Sequence, residues 1–210
     1  MACDEALMEL APLTHAPVLR LYGWQEPAAS FGYSQKFSEV AAITLLRPLV
    51  RRPTGGGLVP HDADWTYSLA FPPSHFWYEL KAAESYRRAH EWVRDAFGLI
   101  GVETALAPVA RKEIPGQCFL GYEQFDVLWR GRKIAGAAQR RTRRGLLIQG
   151  SVQPPPLSLK RSDWESAMQR VATAQMEVRW EDFLMTEVFK AEVERLRTEK
   201  YSQTAYNERR

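Results

Sequence analysis

RRPTGGGLVPHD, residues 51–62, leads after Ala63 into an alternating run, DWTYSLAF, residues 64–71. One glycine is enough for a turn. Gly55, Gly56 and Gly57 in succession, set between Arg51, Arg52 and Thr54 on one side and His61 and Asp62 on the other, supply backbone that a ligand can approach closely. Successive glycine amides can face an anion, and the two guanidinium groups suit phosphate or carboxylate. The loop is neither a Walker A sequence nor a GxGxxG fingerprint. A structural turn competes with the ligand reading. His61 by itself reads more simply as a satisfied structural histidine, with Asp62 placed to cap or orient it.

Outward from this loop, "PVLRLYGW", "AASFGYSQ" and "RPLVRR" predict strands before it, and "DWTYSLAF" predicts an alternating strand closed by Pro72 and Pro73. A short helix is expected over residues 3–11, stopped near Pro12. The clearest helix lies at 78–101, where Leu80, Ala83, Tyr86, Val93, Phe97 and Ile100 make an apolar stripe ended by Gly98 and Gly101. "VETALA", "QFDVLW", "RKIAGAAQRR" and "GLLIQGSV" predict further strands, the last three joined by turns at Arg130-Gly131 and near 142–145. "PVARKEIPGQ" reads as a loop. Ser162 and Glu165 predict a capping box opening a helix to about Ala174, and a last helix is expected at 180–200. The class is α+β: a mostly antiparallel sheet packed with helices. One domain is expected over 1–210, with a sheet-rich core to 153 and C-terminal helices from 154 to 210.

The 210 residues include seven Trp, eight Tyr and nine Phe, ample for a core. No apolar run has the length of a membrane span, and no signal-peptide pattern opens the chain. Cys3 and Cys118 form neither a disulfide framework nor a metal-ligand spacing, and the four histidines are scattered singly, so no metal site and a cytoplasmic setting are expected. The net charge is only +3, yet seven cations fall between Arg130 and Arg144. That density fits an acidic partner, whether nucleic acid, phosphate ligand or acidic protein, and equally a hairpin edge guarded by cations.

Three further residues carry candidate chemistry. Lys133 lies in "GRKIAGAAQRR", where Ala135, Gly136 and Ala137 leave room for a ligand beside the backbone. Strict alternation would put Lys133 and Ala135 on one face and Ile134 and Gly136 on the other. Asp126 lies close enough in sequence to pair with that lysine or to help hold a metal–nucleotide. Cys118 follows a Pro-Gly turn near cations, a setting that favours thiolate. The competing readings are a surface lysine on a hairpin and an inert buried cysteine.

In their order along the chain, these blocks resemble the lipoate/octanoate protein ligase and transferase superfamily, whose catalytic fold is shared with biotin protein ligases. "MACDEALM" is similar to its first-helix motif, "LRLYGWQEPAASFGYSQ" to its second block and "RRPTGGGLVPHD" to its ligand loop. "GRKIAGAAQRR" and "LLIQGSV" are similar to the strand carrying its lysine and the strand after it, and "EKYSQTAYNERR" to the tail of the cysteine-dependent octanoyltransferases. The resemblance implies an acyltransferase in which Cys118 takes octanoyl from acyl carrier protein as a thioester and passes it to a lysine of a lipoyl-domain protein, such as glycine cleavage H protein or a dehydrogenase E2 domain. Lys133 would polarise the acyl carbonyl. Arg51, Arg52, the glycine loop, His61 and Asp62 would shape the substrate pocket with Ala135, Gly136 and Ala137, and the arginine-rich hairpin would meet the acidic carrier. That path implies no cofactor, no nucleic acid and no membrane. The alternatives it leaves are an ATP- and Mg-dependent lipoate ligase, with Asp126 at the nucleotide, and a non-catalytic carrier- or ligand-binding relative. Two departures stand out: the strand that precedes the first helix in relatives is absent, and Gln149-Gly150 stands where they often carry His-Gly.

Overall fold

Alternation along DWTYSLAF predicts a strand with two unlike faces, and both turn out to be covered. The computed structural model describes residues 1–112, 119 and 121–209. In chain order the elements are α1 (Ala2–Glu9), α2 (Ala11–Thr14), β1 (Val18–Tyr22), β2 (Ala28–Phe31), α3 (Phe37–Ile43), β3 (Leu49–Arg51), β4 (Val59–His61) and β5 (Trp65–Phe71). There follow α4 (Phe76–Glu79), α5 (Ala82–Leu99), β6 (Ala105–Leu106), β7 (Arg111–Lys112), β8 (Gly121–Tyr122), β9 (Val127–Trp129), β10 (Arg132–Thr142) and β11 (Gly145–Val152). Helices α6 (Arg161–Met176) and α7 (Glu187–Leu196), a π-helical turn (Arg197–Tyr201) and α8 (Thr204–Asn207) complete the order.

The fold is α+β. The main sheet runs β1-β5-β11-β10-β9-β6 with every pairing antiparallel. A smaller mixed sheet, β3-β2-β4, holds β2 parallel to β3 and antiparallel to β4. On β5, Trp65, Tyr67, Leu69 and Phe71 enter the main core, whereas Ala70 joins a second cluster with Ala6 and Leu7 of α1 and Phe189 and Leu196 of α7. Large apolar groups thus meet α5 and α6 on one face, and small or polar groups lie under α1 on the other. In α5 the buried residues Ala89, Trp92, Val93, Ala96 and Phe97 recur at helical spacing, so one stripe faces the sheet. Trp164 of α6, fully buried, packs against Trp65, Tyr67 and Phe97.

Helix α1 buries two carboxylates, which sequence pattern alone would assign to solvent. Asp4 accepts from Arg20 (2.7 Å), Tyr22 (2.7 Å), Ser68 (2.8 Å) and Gln149 (2.7 Å). Burial by itself would raise its pKa; the terminal amino group, Arg20 and the Tyr22 and Ser68 hydroxyls together hold it below the usual carboxylate value. Glu5 is held by Lys200 (2.6 Å) and Tyr201 (2.7 Å), which fastens the C-terminal segment to the same helix.

Several local expectations change. Pro12 opens α2 rather than ending α1, because a first-turn position needs no amide hydrogen. The long helix starts at Ala82; residues 76–79 form a separate turn, with Leu80 and Lys81 extended between them. Gly98 stays inside the helix, and Gly101, at φ 77°, turns the chain away. Ser162 is no cap: α6 begins at Arg161, and Glu165 is taken by the Arg161 guanidinium at 2.7 Å. The last helix starts only after Thr186, whose hydroxyl accepts from the Phe189 amide. "VETALA" keeps two strand residues, and α3 was not anticipated. Pro60 lies in β4, an edge strand that tolerates a missing donor.

Two glycines of opposite character test the packing. A Cβ on Gly150 would lie 2.1 Å from the buried Tyr67 ring, whereas one on Gly98 meets nothing within 4 Å. Gly150→Ala is expected to lower stability by about 1–3 kcal/mol and Gly98→Ala to raise it by about 0.5–1 kcal/mol, read from denaturant midpoints. Because the Asp4 pKa is depressed in the folded state, its contribution is complete above the unfolded carboxylate pKa and is lost as pH falls through the folded one. The melting-temperature gap between the parent protein and Asp4→Asn should therefore be widest at neutral pH and close on acidification.

Candidate active site

Strict alternation along β10 fails at one residue, and the site follows from that failure. Lys133 pairs with Leu128 and Ala135 with the adjacent Val127, so Ile134 is an extra residue, a β-bulge. The bulge sends Ile134 and Ala135 into the main core and turns Lys133 onto the face of Gly136, opposite to the simple pattern. An ideal Cβ on Gly136 would sit 2.6 Å from Lys133 Cε and 3.0 Å from Asp126 Oδ1, so only glycine leaves the lysine this berth.

The Lys133 side chain is 6% exposed, and its Nζ lies 2.7 Å from Asp126 Oδ2. Asp126 is fixed in turn: its Oδ2 accepts from the Glu123 amide at 2.7 Å and its Oδ1 from the Tyr86 hydroxyl. Burial first, and the Asp126 charge second, raise the Tyr86 pKa well above that of a free phenol, so it remains a donor. His90 packs edge-on against Tyr86, and burial, aided by Lys133, pushes its pKa down to about 3, so it stays neutral. An ammonium has three protons; the Asp126 bond leaves Lys133 able to donate to a substrate oxygen. Phe119, the residue after Cys118, sets its ring 5.1 Å from Lys133 Nζ. Cys118 itself lies outside the described residues.

Lys133, Gly136, Ala137 and Phe119 line one cleft together with Ser30, Arg52, His61, Gln149 and Ser151. Within the same lining, His61 Nε2 lies 2.7 Å from Ser30 Oγ, and Nδ1 lies 2.8 Å from Asp64 Oδ2. Trp24 stacks on the imidazole at 4.1 Å. The His61 partner is Asp64, three residues on, and not Asp62, which is exposed in the β4–β5 turn. Adjacency in sequence pointed to Asp62; the H-x-x-D spacing was the signal available for Asp64. Ser30 had no comparable signal: it is paired with Val59 and His61 with Ala28, and only this register of β2 against β4 brings the Ser30 and His61 side chains together diagonally across the two strands.

The glycine loop is held from within. Arg52 donates to the carbonyls of Gly55 (2.7 Å) and Gly57 (2.7 Å) and to Ser30 Oγ (3.3 Å). Gly56 adopts φ 84°, and its carbonyl oxygen would lie 1.9 Å from a Cβ on Gly32, so two glycine stretches meet backbone to backbone. Thr54 donates to Gln149 Oε1 at 2.8 Å, and Gln149 passes on to Asp4. Arg51 is drawn elsewhere: fully buried, it donates to the carbonyls of Tyr33, Gln35, Tyr206, Asn207 and Arg209, clamping the tail to the loop. Of the residues that the sequence assigned to substrate, the structure therefore gathers Arg52, His61, Gly136 and Ala137 around Lys133. Arg51, Thr54, Gly55, Gly56, Gly57, Asp62 and Ala135 are not among the described residues that line this cleft. In the arginine-rich hairpin, Arg141 donates to the Leu80 carbonyl at 2.6 Å and Arg140 to that of Pro53 at 3.3 Å. No helix among the described residues is long and apolar enough to cross a membrane.

Residues 1–188 match the family model of the lipoyl protein ligase A/B catalytic domain. The chain is 32% identical over 165 residues to octanoyltransferase LipM of Geobacillus kaustophilus, an alignment taking in 72% of this chain and 59% of that relative. The chain thus spans about three fifths of the length of the curated relatives it matches. Among solved structures it is similar to lipoate-protein ligase A bound with ATP, with TM-score 0.78 and 19% identity over 99% of this chain and 92% of that one. It is also similar to a bi-partite lipoate protein ligase of an archaeal lipoylation system from Thermoplasma acidophilum, with TM-score 0.73 and 19% identity over 99% and 89% of the two chains. At that identity the likeness speaks for the fold.

The Lys133–Asp126 pair supports a stability test. Removing one partner strands a buried charge, so Asp126→Leu should cost about 3–5 kcal/mol, and Lys133→Met with Asp126→Leu should recover most of it. A double-mutant cycle in urea that shows additive losses would contradict the pairing.

Proposed function

The chain belongs to the lipoyl protein ligase A/B catalytic-domain family, and from that premise we propose that it moves an octanoyl group from a carrier thioester, through Cys118, to a lysine of a lipoyl-domain protein. The observation that carries this reading is the contact between Phe119 and Lys133: the residue bonded to Cys118 stands on the lysine's cleft, alongside the octanoyltransferase likeness of the chain. The Cys118 thiolate attacks the acyl thioester and releases the carrier thiol. The acyl-enzyme is again a thioester, so the exchange is nearly balanced in energy. Lys133, steadied by Asp126 and Tyr86, donates to the acyl oxygen as negative charge develops on it. The target amine then attacks the acyl-enzyme, giving the amide and restoring the Cys118 thiol.

In this reading the donor is acyl carrier protein, and the thioester already supplies the activation that a ligase draws from ATP. Asp126 is engaged by Lys133, Tyr86 and the Glu123 amide, which favours a structural anchor over a nucleotide or metal contact. Exposed cations of the β10–β11 hairpin, such as Arg143 and Arg144, face solvent beside the sheet and suit an acidic carrier.

Incubation with octanoyl-acyl carrier protein should add one octanoyl mass to the intact protein, located at Cys118 by peptide mapping and absent from Cys118→Ser. Lys133→Ala should slow formation of this adduct by about 10²–10³-fold. Absence of the adduct, with lipoyl-adenylate formed from lipoate and ATP instead, would establish the ligase reaction.

A further inference from the structure

Transfer of the acyl group to an amine needs a base. The attacking lysine amine must lose a proton, and Lys133 Nζ is already engaged by the Asp126 carboxylate at 2.7 Å. Ser30, His61 and Asp64 stand in hydrogen-bonded series, the first two lining the same cleft as Lys133, and take no part in the Cys118–Lys133 chemistry. We infer that these three side chains form a proton relay for the amine-transfer step; the inference rests on the acyl-transfer reading of this site.

The order of the bonds fixes the direction of the relay. A carboxylate only accepts, so Asp64 takes the Nδ1–H of His61, and the imidazole keeps its lone pair at Nε2. The Ser30 hydroxyl then donates to Nε2 across 2.7 Å. All three groups are buried, with Ser30 2% and His61 4% exposed, so their bonds are not shared out to bulk water. Ser30 and His61 line the cleft while Asp64 lies behind them, in the sequence relay, base and orienting acid. The orienting acid is itself fixed, because Asp64 Oδ2 accepts from Ser151 (2.6 Å) and Thr66 (3.0 Å). Trp24 fixes the ring plane from the side by stacking on it and donating to Thr66. A histidine serving only to fill the core would need neither a serine between itself and the cleft nor a hydroxyl-braced carboxylate behind it.

The proton balance closes. As the amine nitrogen bonds to the acyl carbon, its proton passes to Ser30 Oγ while the Ser30 proton passes to His61 Nε2. The imidazolium formed is stabilised by Asp64. When the carbon–sulfur bond breaks, the imidazolium gives this proton back through Ser30 to the cleft, where the leaving thiolate takes it. The acceptor's ε-ammonium releases its other proton to solvent before attack, so ammonium and thioester end as amide, thiol and one released proton, with the relay neutral again.

The test compares two acceptors on the octanoyl-enzyme: glycine cleavage H protein, whose lysine arrives protonated, and hydroxylamine, which is neutral near pH 7 and makes little demand on a base. His61→Gln should slow transfer to the lysine by about 10²–10⁴-fold and trapping by hydroxylamine by less than about tenfold. Ser30→Ala should show the same split. Equal losses with both acceptors mean a structural role and overturn the relay, as does unchanged transfer to lysine. Nitrogen-15 NMR of the histidine-labelled protein provides an arm independent of turnover. The relay requires the Nδ1–H tautomer at His61 and a shift of its Nε2 resonance in Ser30→Ala, and an Nε2–H tautomer rejects it. If the parent protein takes up no octanoyl group, the acyl-transfer reading fails and the tautomer result alone decides whether this triad is assembled as inferred.

Discussion

A single buried carboxylate, Asp4, ties together the parts that make the site. It has no contact with solvent and is satisfied by donors from β1, β5 and β11, three adjacent strands of the main sheet. A buried charge without such partners would be prohibitive, so α1 can sit on the sheet in only one register. One of the donors, Gln149, continues the network to Thr54 at the start of the glycine loop. The loop's position is thus set from beneath by the first helix. The tail is fixed through the neighbouring carboxylate, Glu5, and through the Arg51 clamp.

The placement of Lys133 depends on a different device. One extra residue in β10 reverses the facing of Lys133 relative to the strand beyond it, and Gly136 supplies the space into which the side chain folds. The same bulge puts Ile134 and Ala135 into the core, so the residues that shift the lysine are held by packing on the opposite face. Asp126, before β9, holds the ammonium, and Tyr86 from α5 holds Asp126 in turn. The result is a cation whose charge is balanced at rest and whose direction is fixed, the preorganisation that stabilisation of a developing oxyanion requires.

The glycine loop has a more structural role than its composition suggests. Its carbonyls turn inward to Arg52, and Gly56 meets Gly32 backbone to backbone. The two arginines that look equivalent in RRPTGGG part company: Arg52 holds the loop and reaches Ser30, while Arg51 holds the tail. With β2 carrying Ser30 and β4 carrying His61, the small sheet contributes to the cleft together with β10 and β11 of the large one.

Periodicity made much of the architecture legible in the sequence. The strands around 65–71, 132–142 and 145–152 and the helix ending at Leu99 follow from apolar spacing, because burial of one face leaves a repeat that any reader of the chain can count. Lys133, Asp126 and the loop were legible as candidates for the same reason: unusual residue types stand out against a regular background. Periodicity cannot report a bulge, which changes the facing of every residue after it without changing composition. It cannot report a pairing between distant strands either, so Ser30 was invisible and Asp62 was preferred to Asp64. Nor can it distribute two identical side chains between different partners, as Arg51 and Arg52 show. The sequence by itself determined the α+β class, the order of the main strands and of the long helix, and the residue types available for chemistry. The tertiary structure alone decided which of them share a cleft and which way Lys133 and His61 point, because those choices rest on a one-residue bulge, on the β2–β4 pairing that lets Ser30 bond His61 across 31 positions, and on the satisfaction of a few buried charges.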